Sequence, residues 1–353
     1  MKTSLTPDGM PTLTRALVAA DVGAMEALLH DPGVGFQQTA DDLRTLLHHH
    51  ANVLGTLDSS GDLLSMAALP TYSLHGHKVW SWLSYVVTAP RAQRRGLATA
   101  LVAALLTTLP PEHPVGLYAS VQGAPVYAAA GFVDHGIAQL VSIEGGSARR
   151  SASPEPHLLS HTLLPAHECL GALSRLDREL YGINRAQILE SWALGPAREL
   201  GWAMVGADGE VAGYVLGRPI HPSGFWIGPL VSETAEAAEA LLRAAMRRIP
   251  ADAQAVHMLP MEAWEVPRGA PEARGHVEAF EALALVQRLG FLPLGAIARL
   301  MVRGGSSGGA SSGGGASGGG SSGGVPPLWL KRNARAITKG TPRSFAAAGY
   351  EFG

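Results

Sequence analysis

Hydrophobic runs and helix-like patterns alternate along residues 12–145. Apolar stretches bounded by turn residues predict strands, whereas Ala- and Leu-rich stretches bounded by caps or prolines predict helices. The predicted strands are Thr12–Val18, Asn52–Leu57, Leu63–Thr71, Val79–Thr88 and Val115–Val121, and the predicted helices are Asp21–Leu29, Arg95–Leu109 and Ala124–Ala130. Alternation of this kind predicts an α/β or α+β layer built on a mixed sheet.

The region from Leu158 to Arg303 repeats this plan faintly. Two predicted strands flank the turn residues Asp208 and Gly209, and a third leads into an Ala/Leu/Glu-rich helix. The three strands are Trp202–Val205, Val211–Arg218 and Trp226–Val231, and the helix is Ala235–Arg248. Near its end, Leu285–Phe291 resembles Val126–Phe132 of the first half. The pattern therefore predicts two related domains.

Length and composition narrow the class of protein. A chain of 353 residues with 46% hydrophobic and 16% charged residues can form two folded domains. The net charge of −2 excludes polyanion binding driven by bulk charge, so we expect no nucleic-acid partner. No stretch of 18 apolar residues and no signal-peptide pattern is present, so we expect a cytoplasmic protein with no membrane partner.

Metal and disulfide chemistry find little support in the sequence. Cys169 is the single cysteine, which excludes an intramolecular disulfide framework and a Cys-based zinc cluster. Three consecutive histidines, His48–His50, point around a predicted helix instead of converging on one ion. We therefore expect no metal.

The C-terminal region differs from the rest of the chain. Residues 304–324 contain only Gly, Ser and Ala, which predicts a flexible linker, either engineered or natural. The 29 residues that follow, 325–353, are too few to fold alone. They carry a net charge of +4, and because the whole chain has a net charge of −2, residues 1–324 carry −6. A basic peptide tethered to an acidic body suggests a ligand or substrate held beside its binding protein. The alternative is a solvated basic tail without a partner.

A candidate anion site lies where the predicted strand Val79–Thr88 meets the next helix. Backbone amides, a glycine and several arginines precede the helix N-terminus, and the helix dipole there favours negative charge. Gly96 would let the backbone approach a pyrophosphate closely. The alternative is a basic loop that precedes an ordinary amphipathic helix.

Two motifs of residues 10–147 resemble the GNAT acetyltransferase family. Gln93–Ala98 matches the family's pyrophosphate-binding signature, and Ala124–Phe132 matches its later alanine-rich turn into Tyr-x-x-x-Gly-Phe. The resemblance implies two GNAT-like domains, residues 1–150 and 151–303, each a mixed, mainly antiparallel twisted sheet flanked by helices. It also implies acetyl-CoA, or another acyl-CoA, as the donor. The implied donor-binding residues are Tyr85, Val86, Val87, Gln93, Arg94, Arg95, Gly96, Leu97 and Ala98.

The same resemblance implies roles in direct acyl transfer to an amine. Tyr85 and Val86 would hydrogen-bond the pantetheine arm, and a backbone amide near Val87 would polarise the thioester carbonyl. Tyr127 matches the family's tyrosine that protonates the departing thiolate, although a packing role for this aromatic ring stays open.

The proton acceptor and the second domain depart from the family pattern. The strand carries no acid between Val79 and Val87, so His77, preceded by His75, is the nearest candidate base; a solvated hairpin tip and a relayed water are the alternatives.

In the second domain Val286 stands where Tyr127 stands in the first, and the turn before its helix lacks the pyrophosphate signature. We therefore expect a degenerate domain that builds the acceptor cleft. Its acids would attract a cation or form a solvated face: Glu179, Glu190, Glu199 and those of residues 262–281.

These features predict an N-acyltransferase that acts on an amine, with a basic peptide as acceptor. The segment 325–353 is one candidate, and it resembles the precursor of a ribosomally made, modified peptide. Its acceptor candidates are Lys339, which lies between Thr338 and a slim glycine, and Lys331. The alternatives are a small amine of the aminoglycoside or thiol-precursor type, and a peptide-binding GNAT pair without turnover.

Overall fold

The structure is a computed structural model that describes residues 2–5, 11–34, 36–49, 52–74, 77–153, 161–181, 183–232, 234–259, 279–304 and 343–346. Apart from Gly304, the predicted linker lies outside the described residues, as does the tail apart from Arg343–Ala346. Among the described helices, none combines the length and apolar character needed to cross a bilayer.

Sixteen strands and nine α-helices are described. The strands are β1 (Lys2–Leu5), β2 (Pro11–Ala16), β3 (Val53–Asp58), β4 (Leu63–Ala68), β5 (Thr71–Leu74), β6 (His77–Trp82), β7 (Ser84–Thr88), β8 (Val115–Ala119), β9 (Val133–Ile143), β10 (His161–Pro165), β11 (Trp202–Gly206), β12 (Val211–Ile220), β13 (Gly224–Ser232), β14 (Val256–Met258), β15 (Leu292–Arg303) and β16 (Arg343–Ala346). The helices are α1 (Val22–Leu29), α2 (Ala40–His49), α3 (Leu97–Leu106), α4 (Ala124–Ala129), α5 (Gly145–Ser151), α6 (Leu170–Tyr181), α7 (Ala186–Ala193), α8 (Ala235–Arg247) and α9 (Ala279–Arg288).

The strands form two mixed sheets. The smaller has the order β1-β2-β3-β4-β7, and the larger has the order β10-β11-β12-β13-β14-β9-β15-β8-β6-β5, with β16 added to β13. The β6–β8 and β13–β14 pairs are parallel, and the other described pairs are antiparallel. Helices pack on these sheets, with α3 on β3, β4 and β7 and α8 on β11, β12 and β13. This arrangement confirms the predicted fold class.

The long strand predicted at Val79–Thr88 is divided at Leu83. Its first part, β6, pairs with β8, and its second part, β7, crosses to the other sheet and pairs with β4. An unbroken apolar run carries no signal for such a division, because the division depends on which strands lie alongside. The helix predicted from Arg95 begins instead at Leu97, because Gly96 has a left-handed φ of 75° that ends the preceding turn.

The two halves of the chain exchange their last strands. β9 follows the first half but pairs with β14 of the second, and β15 follows the second half but pairs with β8 of the first. β9 and β15 also pair with each other around Ala138 and Ala298. The predicted boundary at residue 150 falls inside α5, which packs against α8. Each half therefore completes its sheet with a strand from the other.

Candidate active site

A gap opens between β7 and β8, because the two strands stop pairing. The parallel β6–β8 pair aligns Ser81 with Val115, and the Leu83 amide still donates to the Gly116 carbonyl at 2.8 Å. Beyond that point β7 follows β4, and no described strand pairs with its other edge. Edge strands present rows of backbone donors and acceptors. This edge therefore suits an extended, amide-bearing arm such as that of acyl-CoA.

A β-bulge shapes the edge of β7. Ser84 pairs with Ala68 and Val87 with Met66, so Tyr85 and Val86 together face one residue of β4. Tyr85 has a φ of 51°, and its side chain is only 2% exposed. A bulge re-aims backbone groups, and burial of the ring holds Tyr85 in a conformation that is strained for a non-glycine residue. The predicted pantetheine-binding residues Tyr85, Val86 and Val87 thus lie together along the gap.

The loop after β7 leads to an open helix N-terminus. The Ala89 amide donates to the Leu64 carbonyl at 2.8 Å, and Gln93 Nε2 donates to the Thr88 carbonyl at 3.3 Å, so both ends of the loop are fixed. Among the described residues, no side chain caps α3, and the first turn of this helix carries no acidic residue. An uncapped N-terminus leaves backbone N–H groups available to a phosphate. The predicted residues Gly96, Leu97 and Ala98 form this terminus.

The arginines of the loop divide into two groups. Arg91 is held by Asp62 at 3.1 Å and by Asp58 at 3.7 Å, so its charge is already paired. Arg94 is exposed, has a φ of 61°, and pairs with no described acid. Arg95 is half-buried beside it. Together with the open N-terminus, Arg94 and Arg95 form a positively charged mouth that fits the pyrophosphate of an acyl-CoA.

Tyr127 lies on α4, the helix that follows β8. Its ring makes an edge contact with the Phe132 ring, with centroids 6.1 Å apart. The ring also packs closely on Gly123, because a Cβ atom placed on this glycine would lie only 3.0 Å from Tyr127 Cε2. Burial raises the pKa of Tyr127 to about 12. The phenol therefore stays protonated at neutral pH, and no described residue accepts a hydrogen bond from it. It can serve as a donor to a group that enters the gap.

The structure places His77 away from the gap. This exposed residue begins β6, opposite Leu74, whereas the gap opens beyond Leu83. Eight residues of extended chain separate His77 from Tyr85, which corresponds to roughly 25 Å. We therefore do not assign the base role to His77, and His75 lies outside the described residues. Glu179, Glu190 and Glu199 are all exposed, and most of residues 262–281 lies outside the described chain.

The second half has a similar gap between β13 and β14, but this gap lacks the features that would favour an anionic acyl donor. β13 and β14 pair in parallel only at Phe225 and Trp226. A bulge follows, in which Gly228 has a φ of 148° and Pro229, lacking an N–H, cannot donate. The helix beyond is capped by its own Thr234 hydroxyl, which accepts from the Ala237 amide at 3.2 Å, and carries Glu236 in its first turn. These features disfavour an anionic ligand.

The helices α4 and α9, one in each half, end with the same backbone geometry. The Phe132 amide donates to the Tyr127 carbonyl at 3.0 Å, and the Phe291 amide donates to the Val286 carbonyl at 3.0 Å. The glycine before each phenylalanine has a φ near 90°, 87° in the first half and 91° in the second. Val286 therefore occupies the position of Tyr127, and its side chain has no proton to donate.

Sequence reasoning missed two buried ion pairs. Asp177 accepts hydrogen bonds from Arg185 Nε at 3.1 Å, from Arg185 Nη2 at 2.6 Å and from the Tyr214 hydroxyl. Asp42 of the first half accepts a hydrogen bond from Arg218 Nη1 of the second half at 2.9 Å, and both side chains are almost fully buried. The second pair joins residues 176 positions apart, so no local pattern could have revealed it. In both pairs the two side chains are almost fully buried, so the loss of one partner would leave a buried charge unpaired.

Comparisons with known proteins agree with this architecture. Residues 173–260 match the family model described as "Acetyltransferase (GNAT) domain", which places the match in the second half. Comparison with curated proteins finds no match.

Solved structures with the same fold cover most of the chain. A Pyrococcus horikoshii protein assigned as an acetyltransferase has a TM-score of 0.59 at 17% identity, covering 84% of this chain and 90% of that one. A GCN5-related N-acetyltransferase from Sphaerobacter thermophilus has a TM-score of 0.54 at 18% identity, covering 85% and 96%. A tandem GNAT protein from the clavulanic acid biosynthesis pathway has a TM-score of 0.53 at 17% identity, covering 82% and 98%. The chain thus has the GNAT acetyltransferase fold, with a GNAT domain matched at residues 173–260.

Proposed function

We propose that the protein is an N-acyltransferase whose first half binds acyl-CoA, with acetyl as the expected acyl group. One observation carries the proposal: the bulged, one-sided edge of β7 leads directly into the open, basic N-terminus of α3. The second half has the same gap but ends in a capped, acidic helix start. The difference between two otherwise similar gaps supports a donor site in the first.

Each element of the site has a chemical role in this proposal. Acyl-CoA, when bound, supplies the activated thioester. The amides of Gly96–Ala98 and the side chains of Arg94 and Arg95 hold its pyrophosphate. Amides along the β7 edge orient its arm and donate to the carbonyl oxygen, where negative charge develops. Tyr127 donates a proton to the leaving sulfur.

The proposed acceptor is an amine of a basic peptide. The segment 325–353 carries a net charge of +4, and the rest of the chain carries −6, so the two attract each other. Lys339 and Lys331 are the candidate amines within it. A loss of the amine proton must precede attack, and solvent or a substrate-held water can accept that proton.

Thiol release from acetyl-CoA tests the donor site. The double variant Arg94→Ala, Arg95→Ala should raise the KM for acetyl-CoA at least tenfold, because two charge-assisted contacts to phosphate are lost. The control is Arg149→Ala, Arg150→Ala, another pair of consecutive arginines, both exposed on α5, which should leave KM unchanged. Equal effects of the two variants would contradict the assignment.

Intact-mass analysis of the reaction tests the acceptor. Incubation of the full chain with acetyl-CoA should add one acetyl mass to the segment 325–353. Acetylation of an added small amine, with none on this segment, would retain the enzyme and reject the peptide acceptor. CoA binding with neither thiol release nor any acetylated amine would reject catalysis altogether.

A further inference from the structure

The second gap contains a strand from the C-terminal tail. β16 pairs antiparallel with β13, with Arg343 opposite Ser232, Ser344 opposite Val231 and Ala346 opposite Leu230. β12 already pairs with the other edge of β13 at the same residues. The tail strand therefore lies on the β14 side of β13. It occupies the gap that opens where β14 stops pairing with β13, after Trp226.

This gap is the counterpart of the donor gap, but its mouth has the opposite charge. Exposed Glu236 lies in the first turn of α8, where the first half presents Arg94 and Arg95 before α3. The register places the tail with Arg343 at this acidic mouth and Ala346 further in. A basic mouth suits an anionic donor, and an acidic mouth suits a basic peptide.

We propose that the gap between β13 and β14 is a peptide-binding groove that takes Arg343–Ala346 as an added strand. Its role as an acceptor-holding groove rests on the proposed function. The two gaps of the protein would then bind different ligands: the gap of the first half binds the acyl donor, and the gap of the second half binds the peptide.

The chemistry of the tail fits recognition by strand addition. In this mode, main-chain hydrogen bonds supply affinity and demand a segment that can extend without proline. Residues 343–353 contain no proline, whereas Pro342 directly precedes them and lacks the N–H that a longer strand would use. The sequence thus limits the added strand at the residue where β16 begins.

Hydrogen–deuterium exchange on the full chain tests the groove. Amides of Arg343–Ala346 should exchange at least tenfold more slowly in the protein than in a synthetic peptide of residues 325–353. Ser344→Pro, which places a residue without an N–H opposite Val231, should abolish that protection. Phe352→Pro, a proline outside the paired residues, is the control and should preserve it. Equal exchange in protein and peptide would overturn the proposal.

Reciprocal variants separate this proposal from the proposed function. Glu236→Lys should speed exchange in the tail strand and leave CoA affinity unchanged, whereas Arg94→Ala with Arg95→Ala should weaken CoA binding and leave tail exchange unchanged. An inactive protein with a protected tail would refute the acyltransferase and retain the groove. An active protein with an unprotected tail would refute the groove alone.

Discussion

Replacement of Gly96 by alanine would separate a ligand effect from a folding effect. The φ of 75° at Gly96 means that an alanine there costs about 1–2 kcal/mol of strain. A Cβ built on Gly96 meets no atom of the described residues within 4 Å, so these residues add no clash in the free protein. The methyl group would instead project into the space where phosphate approaches the α3 amides. Loss of one charge-assisted hydrogen bond, about 1.5–3 kcal/mol, corresponds to about 10- to 100-fold weaker CoA binding.

Gly209 provides the matched control for this experiment. It has a φ of 82° in the β11–β12 turn, and a Cβ built there is also more than 4 Å from every atom of the part of the chain that the structure describes. Gly209→Ala should therefore lower the unfolding free energy by a similar amount while leaving CoA binding intact. Calorimetry would measure the CoA affinity, and urea unfolding would measure the stability of each variant. Wild-type CoA affinity in Gly96→Ala would refute the placement of the pyrophosphate.

Three further predictions concern the tyrosine, a buried ion pair and the acceptor. Tyr127→Phe should keep CoA affinity and lower turnover about 10²–10⁴-fold. Burial raises the pKa of Tyr127 to about 12, so the phenol keeps its proton below that pH and loses it only above. A fall in turnover near pH 10 that is absent in Tyr127→Phe would contradict the role of this buried phenol as the proton donor. Asp177→Ala should cost about 3–5 kcal/mol in urea unfolding because it leaves a buried arginine unpaired, whereas Asp41→Ala, from an exposed pair, should cost about 0.5 kcal/mol or less. With the tail strand docked, the four residues from Arg343 back to Lys339 span at most about 14 Å, which is short of the four strand spacings, about 19 Å, between the gaps. Lys331 lies twelve residues upstream and can span about 40 Å. Peptide mapping should therefore find the acyl group on Lys331, and acylation of Lys339 alone would contradict this estimate of reach.

The local parts of the donor site could be predicted from sequence. Gly96, the arginines before it and the apolar strand before them form one continuous stretch, and their chemistry depends on neighbours in the chain. The match between Tyr127 and Val286 also follows from two short, similar helix ends.

The non-local parts could not be predicted. The apolar run Val79–Thr88 gave no sign of the bulge at Tyr85, because the bulge exists only in relation to β4. For the same reason the run did not show which end of the strand borders the gap, and His77 lies at the other end. The ion pair between Asp42 and Arg218 depends on packing between the halves, for which a single sequence carries no pattern.

The exchange of β9 and β15 makes the two halves mutual partners in folding. A fragment that ends near residue 150 would leave the edge of β8 without β15 and would carry β9 without β14 to receive it. Exposed edges of this kind favour aggregation over a stable small protein. Two separately expressed fragments should instead recover their structure only when mixed, as complementary subunits do. The two halves are thus inseparable, and the scaffold of the second gap is indispensable to the first half even though the second gap lacks the donor chemistry.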